Sequence, residues 1–592
     1  MAGLRWQTSK APTCSNLGFL RPVNYSMKST ATFPLDLAPR EHSVAALHTE
    51  IVSEFEELLT IIEDCIRFGN TMPASIFQSP GWLRAWWKAF GTSSHVCAPV
   101  VRDSNGVVGI LPLVRRGSAM GFVGMPGSDY GDILCCPELA PEVVAEALRS
   151  LLRYPGWSSC RFNNLRLTSQ LVHCITDLPP DIRSHLSLLP VARRSALVLN
   201  EGRDDVTAAA LRKPALKRRR NKLYRTGEVC FRHLETRPEA RQLLPTLFQQ
   251  HTTRRAFAGE RSQFLAKEWR EFYTALVDEL DLQSQLRFSV LEFNHRPIAC
   301  HLGFEYKGSL ILYKPTFDVD YWELSPGDVM LSELLTYARE RELNEVDFTI
   351  GREAYKEHFT NQSENMFCLT LDHLVVNASL RRLFEPVYVT SSRGVRKLGS
   401  WIVGGVRFAE TQRNRRLSLL SHWRRPPLQS CGNEPGVASD ESSQVVPPQQ
   451  LRLSDLAQIA LRSPYLFRPK VLQDFRTRIR NGECCYVWGG PDHQQIGWIR
   501  RVKLPPDKPS STPSTKREAD MLYDLRPVSG GHEAAVDIGL VQWFAGRTLA
   551  QGVWADICIL ARDHASRDVL ESAGFLREDG FYRTFRRRIW HI

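Results

Sequence analysis

The chain is 592 residues long, 43% hydrophobic and 24% charged, with a formal net charge of +12. One hydrophobic core stops growing near about 250 to 300 residues, so this length requires several domains, expected here as three, and the apolar content excludes global disorder. The positive charge is densest at Lys217-Arg218-Arg219-Arg220-Asn221-Lys222 and over 413–425; it favours anionic partners without choosing among nucleotide phosphates, nucleic acid, acidic polymers and lipid surfaces.

Taken in chain order, the first 45 or so residues are rich in Ser, Thr, Pro and Lys and have no apolar signal core, so they read as a disordered lead, with Met27 an alternative start. A first domain is expected over 46–195. Its helix at 80–90 is opened by Ser79-Pro80 and stopped by Gly91. Trp82, Trp86 and Phe90 share one face of it, a stripe suited to burial against a sheet more than to a ligand platform. Strands fit 96–101 and 107–113, a Gly-rich segment over 117–131 runs into Ser128-Asp129-Tyr130-Gly131-Asp132, and a helix fits 141–154.

The second domain, 196–416, begins with a basic helix over 209–224 and a strand over 228–233. Helices at 237–256 and 264–280 and strands at 287–293, 296–306 and 309–315 follow. The most informative stretch comes next: Leu324-Ser325-Pro326-Gly327-Asp328, a helix to Glu340, a strand at 346–350, then Gly351 and Tyr355-Lys356. Pro326 and Gly327 open the helix and leave its first N–H groups facing outward, where hydrogen bonding and the helix dipole both favour an anion such as a pyrophosphate. The local pattern by itself favours an ordinary helix start, and the wider context carries the anion reading. A basic flank over 380–416, with interspersed Leu, Val, Trp and Phe, offers a surface for peripheral membrane contact or remains a solvated edge.

A Pro, Ser, Gln and Gly-rich linker is expected over 417–450, and a third domain over 451–592. Strands fit 484–488, 495–502, 521–525 and 554–561, with a helix at 538–550 between the last two. A short helix at 565–573, Gly574-Phe575 and a strand at 580–588 close the chain. The fourteen cysteines include no CxxC pair, and the vicinal pairs Cys135-Cys136 and Cys484-Cys485 are poorly placed for disulfides; they read as buried thiols in a reducing, cytoplasmic setting, with no metal site expected. No run approaches the roughly 18 apolar residues of a membrane span. The pattern as a whole is α/β (α+β), with alternating strands and helices around mixed central sheets.

The string from Asp563 through Ser572-Ala573-Gly574-Phe575 resembles the closing motif of GNAT acyltransferases. Phe77-Gln78-Ser79-Pro80 with Trp82, Trp86 and Phe90-Gly91, Ile110-Leu111-Pro112-Leu113, Asp129-Tyr130, Ser325-Pro326-Gly327 and Asp347-Phe348 through Lys356 resemble the CelD-like acetyltransferases of exopolysaccharide synthesis, GNAT relatives with a FemAB-like tandem. The resemblance implies two GNAT-like folds in tandem, a third in the C-terminal domain, and acyl-CoA, acetyl-CoA above all, as co-substrate. The chain departs from the family in its phosphate loop: the Arg/Gln-x-x-Gly-x-Gly pattern is absent, and Ser325, Pro326, Gly327 and Asp328 stand in its place, with Arg218 of the basic run as a second phosphate contact.

Acyl transfer requires an electrophile for the developing oxyanion, a base for the incoming nucleophile and a donor held in line. By analogy with FemAB-type enzymes Lys356 is the candidate electrophile, or else a surface Lys beside Glu357. Tyr355 is the candidate acid for a leaving thiolate, or a packing Tyr; Asp347 is a candidate base, or a cap for the following loop. His251, His301 and Glu305 are weaker base candidates. The implied activity is transfer of an acyl group to an amine or hydroxyl of a sugar, amino sugar or polysaccharide precursor, in company with polysaccharide-assembly proteins. The alternatives are a FemAB-like aminoacyl-tRNA-dependent transferase and a non-catalytic GNAT-fold binding protein. The basic run comes with no recognisable nucleic-acid motif, so nucleic acid is not expected as a partner.

Overall fold

The structure, a computed structural model, describes residues 47–67, 75–199, 213–351, 353 and 355–379. In the C-terminal region it describes 420–425, 448–463, 466, 469–489, 494–503, 518–527, 538–551, 554–560, 570 and 576–578. The expected lead, the basic flank and the closing helix and strand therefore lie outside the described residues, apart from Leu570.

The first part of the chain runs β1 (His48–Val52), α1 (Phe55–Arg67), α2 (Pro80–Phe90), β2 (His95–Val96), β3 (Ala98–Asp103), β4 (Gly106–Ile110), β5 (Leu113–Arg116), β6 (Ala119–Phe122), β7 (Leu134–Cys135), α3 (Ala140–Arg153), β8 (Ser159–Leu165) and β9 (Leu186–Val198). The second runs α4 (Pro214–Thr226), β10 (Val229–His233), α5 (Arg237–Phe257), α6 (Lys267–Glu279), β11 (Leu286–Phe293), β12 (Arg296–Tyr306), β13 (Ser309–Phe317), α7 (Pro326–Glu340), β14 (Glu345–Ile350) and β15 (Gln362–Asp372). The third comprises β16 (Leu420–Arg425), β17 (Gln449–Leu451), α8 (Leu453–Arg462), α9 (Pro469–Arg480), β18 (Cys484–Trp488), β19 (Gln495–Lys503), β20 (Glu518–Pro527), α10 (Ile538–Ala550), β21 (Trp554–Leu560) and β22 (Leu576–Glu578).

One pattern recurs: a strand, two helices, an antiparallel run of strands, a helix, and a strand parallel to the one before that helix. In the second part β10 to β13 are antiparallel neighbours and β14 lies parallel to β13 after α7. In the third, β17 to β20 are antiparallel and β21 lies parallel to β20 after α10. The first part bends the same run into two pieces, since β3 pairs β4 in one sheet while β2 pairs β5 in another, and β8 lies parallel to β6 after α3.

The first two parts are joined by exchange of their last strands. β9 follows β8 in the chain but pairs with β14, and β15 follows β14 but pairs with β8; β9 and β15 also pair with each other. Eleven of the described strands thereby form one sheet in the order β10-β11-β12-β13-β14-β9-β15-β8-β6-β5-β2, while β1, β3, β4 and β7 form a separate one. The domain boundary expected at 195/196 is corrected by this: it falls inside β9, because β9 finds its partners in the other half. The linker expected over 417–450 is corrected too, since Leu420–Arg425 is a strand between β21 and β22. Its composition resembles a linker, but backbone pairing to strands more than a hundred residues away decides its conformation.

The aromatic stripe of α2 is core. Trp82 and Trp86 are fully buried, and Trp82 packs edge-on against Phe77 of the first part and Phe272, Phe304 and Tyr313 of the second. One apolar cluster therefore spans both halves, with Leu58, Ile62 and Val100 at one end and Leu276, Phe288 and Leu302 at the other. Cys97, Cys160, Cys174, Cys300, Cys368 and Cys485 are buried thiols. No helix among the described residues is long and apolar enough to cross a membrane. Because the core is shared, Trp82→Ala is expected to cost about 3–5 kcal/mol and to shift the unfolding of both halves together. Urea denaturation followed by hydrogen exchange at β4 and β12 checks this; a shift confined to one half contradicts a common core.

Candidate active site

The seam between the halves is held by a buried charge network. Arg194 of β9, 1% exposed, donates from Nε and from its terminal nitrogens to Asp347 at 3.0 and 2.9 Å, to Glu345 at 2.8 Å and to Glu364 of β15 at 3.3 Å. Arg166, just past β8, closes on Glu364 at 2.8 Å. The Tyr130 hydroxyl lies 2.9 and 2.8 Å from the two Asp347 oxygens. Burial pushes the Asp347 carboxyl up, and Arg194 opposes the shift.

Beyond that network the sheet opens. β13 and β14 pair only from Ser309 with Glu345 to Ile311 with Asp347, although β13 continues to Phe317. Their divergence coincides with a bulge in β14, where Thr349 is buried at φ 58°. A β-branched residue in the left-handed region carries roughly 1–3 kcal/mol of strain. Here Asp347 offsets it by accepting the Thr349 N–H at 2.8 Å.

Three charged groups meet at the mouth of this opening, each delivered by a different element. Asp129 comes from the loop between β6 and β7, Lys314 from β13, and Lys356 from the turn after β14. The Asp129 loop is tied down along its length. Trp82 Nε1 donates to Ser128 Oγ at 3.0 Å, Trp86 Nε1 to the Pro126 carbonyl at 3.1 Å and Asn164 Nδ2 to the Ser128 carbonyl at 3.1 Å, while the Tyr313 hydroxyl donates to the Gly127 carbonyl.

Burial raises the Asp129 carboxyl to about 6, opposed by Lys314, by a hydrogen bond with Thr349 and by Lys356. Burial lowers Lys314, against the pull of Asp129. Lys356 is 4% exposed; its Nζ donates to the Ile350 carbonyl at 3.1 Å and pairs with Glu353 at 3.0 Å. Any side chain at Gly351, itself at φ 150°, would strike that Nζ and the Glu353 carboxylate. Arg254 of α5 lies over Phe317 at 6.0 Å, interacts electrostatically with Tyr355 and Glu353, and has a buried Nε without a partner among the described residues.

Of the sequence-derived candidates, Lys356 and Tyr355 stand at this opening. Tyr355 is 40% exposed, with its phenol raised by burial to about 12. Asp347 lies behind the opening, its carboxylate occupied by Arg194, Tyr130 and the Thr349 N–H it caps. His251 adjoins the cluster as a neutral imidazole, driven by burial to about 2 and bonded to Ser262 at 2.8 Å. His301 is fully buried in β12, and Glu305 is held by Arg287, Tyr337 and Arg341.

Ser325 caps α7 in the left-handed conformation with Pro326 first in the helix. The Asp328 and Val329 N–H groups turn back onto the Ser325 carbonyl, and Arg219 occupies the Asp328 carboxylate at 2.9 Å. Fewer first-turn donors face outward than the sequence suggests. Arg218 is exposed on α4, and its neighbours Arg219 and Lys222 are the ones that reach the helix start, Lys222 donating to the Glu323 carbonyl at 3.0 Å. Asp129 and Lys314 escaped the sequence reading as chemical groups because neither lies near Lys356 in the chain. Asp129 carried one signal, its place beside Tyr130 in the Gly-rich segment.

Residues 211–357 match the family model described as acetyltransferase (GNAT) domain. The chain thus carries a GNAT-type acetyltransferase domain, the domain of an acyltransferase, within a mixed α/β fold. No curated protein matches it. Among solved structures it is similar to FemX, at 9% identity and TM-score 0.39 over 57% of this chain and 100% of that one. It is also similar to L-PGS from Bacillus licheniformis, at 10% identity and TM-score 0.36 over 53% and 91%. A tandem GNAT protein from the clavulanic acid biosynthesis pathway aligns at 13% identity and TM-score 0.33 over 56% and 99%.

Removing the Arg194 cation strands buried carboxylates, so Arg194→Met is expected to destabilise the protein by about 3–5 kcal/mol. The loss should be larger at pH 8 than at pH 5, because a protonated Asp347 needs no counter-charge. Denaturant melts at the two pH values check it; equal losses contradict the assignment of Asp347 as the principal partner.

Proposed function

We propose that the protein transfers an acyl group from acyl-CoA to an amine or hydroxyl acceptor at the opening between β13 and β14, with a saccharide or amino sugar as the acceptor class suggested by the CelD-like motifs. The observation that carries the reading is the convergence of Asp129, from the first half, with Lys314 and Lys356, which lie inside the segment that matches the acetyltransferase model, where the two strands part. The backbone of β13 beyond Ile311 offers a strand edge to an extended, amide-containing donor arm. The donor phosphates then fall toward the start of α7, where Ser325, Pro326, Gly327 and Asp328 meet the basic face of α4 carrying Arg218, Arg219 and Lys222.

In this reading the acceptor nitrogen or oxygen attacks the thioester carbonyl, the new bond forms as the carbon–sulfur bond breaks, and the acceptor proton passes to Asp129. A carboxyl with a pKa near 6 is largely ionised at neutral pH yet basic enough to accept that proton. Lys356, positioned by Ile350 and Glu353, supports the developing oxyanion. Tyr355, protonated at neutral pH, supplies a proton to the departing thiolate. The C-terminal domain, with its repeat of the same strand and helix order, is assigned as a third GNAT-like unit.

Acetyl-CoA is expected to raise the melting temperature of the full chain, and Arg218→Ala with Arg219→Ala to weaken that binding roughly tenfold, about 1.4 kcal/mol. Thermal-shift titration at two salt concentrations measures it; no shift at millimolar donor sinks the acyl-CoA reading. With a saccharide acceptor panel, Lys356→Ala and Asp129→Asn should each lower turnover by about 10²- to 10³-fold while sparing donor affinity. The wild-type rate should climb through pH 6 and level off above it, since Asp129 is a base only when ionised. In Asp129→Asn that limb should vanish; its persistence would remove Asp129 from the mechanism.

A further inference from the structure

The 3₁₀ stretch Val319–Leu324 leads directly into Ser325 and α7, and residues of the C-terminal part of the chain hold it at two points. At one, Asp320 reaches the N-terminal turn of α8, where its carboxylate accepts the Ser454 N–H at 3.0 Å and the Ser454 hydroxyl at 2.6 Å, with Arg452 at 3.8 Å. A carboxylate at a helix N-terminus is favoured by both unpaired N–H groups and the dipole, and here the capping group belongs to a different part of the chain. At the other, Arg476 of α9 stacks over the Trp322 ring at 4.0 Å, with Arg480 at 5.8 Å. Arg476 and Arg480 lie two positions from Arg478, which is turned away to Asp474 and Asp524.

The same two helices also pack on α5. Ala256, fully buried, belongs to one apolar cluster with Leu456, Ala460, Phe475 and Trp498, and Phe257 packs against that cluster. Ala256 and Phe257 directly follow Arg254 and Arg255, and Arg254 is the residue near Tyr355 and Glu353. The C-terminal part therefore holds two segments that adjoin Phe317 at the far end of β13, the entry to α7 through Gly327 and the end of α5 through Arg254.

We propose that α8 and α9 act as a clamp that positions the donor entrance, with Asp320 and Trp322 as the positioning residues on the loop. The clamp fixes Val319–Leu324 so that Ser325 adopts its left-handed cap and α7 presents its first turn to the donor phosphates. The proposal rests on the reading that those phosphates bind at the start of α7. Binding strength for the donor, more than the chemical step, is what the clamp controls.

The test uses the full chain and the combined variant Ser454→Ala, Arg476→Ala, Arg480→Ala, with Trp322→Ala as a second, independent break from the other side. Amide hydrogen exchange over 319–329 is expected to rise tenfold or more in both, while protection in β18 to β20 reports an intact C-terminal sheet. Coenzyme A binding is expected to weaken about tenfold, with KM for the donor rising and kcat changing little. Arg476→Lys with Arg480→Lys, which keeps the cations over Trp322, should restore most of the affinity. Unchanged exchange over 319–329 with the C-terminal sheet intact overturns the clamp. Raised exchange with unchanged coenzyme A affinity supports the clamp and overturns the placement of the donor at α7.

Discussion

The structure depends first on the ion cluster in which Arg194 meets Asp347, Glu345 and Glu364, with Tyr130 and Arg166 at its ends. It lies where two halves have traded their last strands, so β9, β14 and β15 cannot take their places without bringing these groups together. Charges buried to this degree are tolerable only when mutually paired, which makes the register of the central strands a matter of large energies. The large shared aromatic core around Trp82 is the largest apolar cluster among the described residues. The ion cluster selects which strand goes where.

The opening follows from that arrangement. Asp347 binds Arg194 on one side and the Thr349 N–H on the other, so β14 bulges directly after its paired segment and leaves β13. A strained Thr349 and a buried, well-bonded Lys356 sit at the resulting mouth, and the first half closes it with Asp129 on a loop held by Trp82, Trp86, Asn164 and Tyr313. Both halves thus contribute groups to one opening. The basic helix α4 packs at the entry to α7, where Arg219 pairs with Asp328 and Lys222 reaches the Glu323 carbonyl.

Much of the local structure was legible in the sequence. The helix at Pro80–Phe90 announced itself through Ser79, Pro80 and Gly91, and the strands β11 to β13 and the helices α7 and α10 fall close to their expected bounds, because apolar period and end signals are local properties. Lys356 and Tyr355 were legible through a family-like motif. Asp129 and Lys314 as partners of Lys356 were not, since no pattern within a window reports that residues more than forty and two hundred positions apart will meet. Leu420–Arg425 was masked for a related reason: its composition is that of a linker, and its conformation comes from strands far along the chain.

The sequence by itself determined the elements, their alternation, the burial of the α2 tryptophans and the acetyltransferase character of the second part, all of which rest on short-range pattern and motif. Only the tertiary structure decided the exchange of β9 and β15, the engagement of the Asp347 carboxylate by Arg194, Tyr130 and the Thr349 N–H, and the contacts of α8 and α9 with the Val319–Leu324 stretch. The physical reason is common to these three. Strand pairing, ion pairing in low dielectric and helix docking are gained between segments distant in sequence, and their partners are settled by which contacts can be satisfied together.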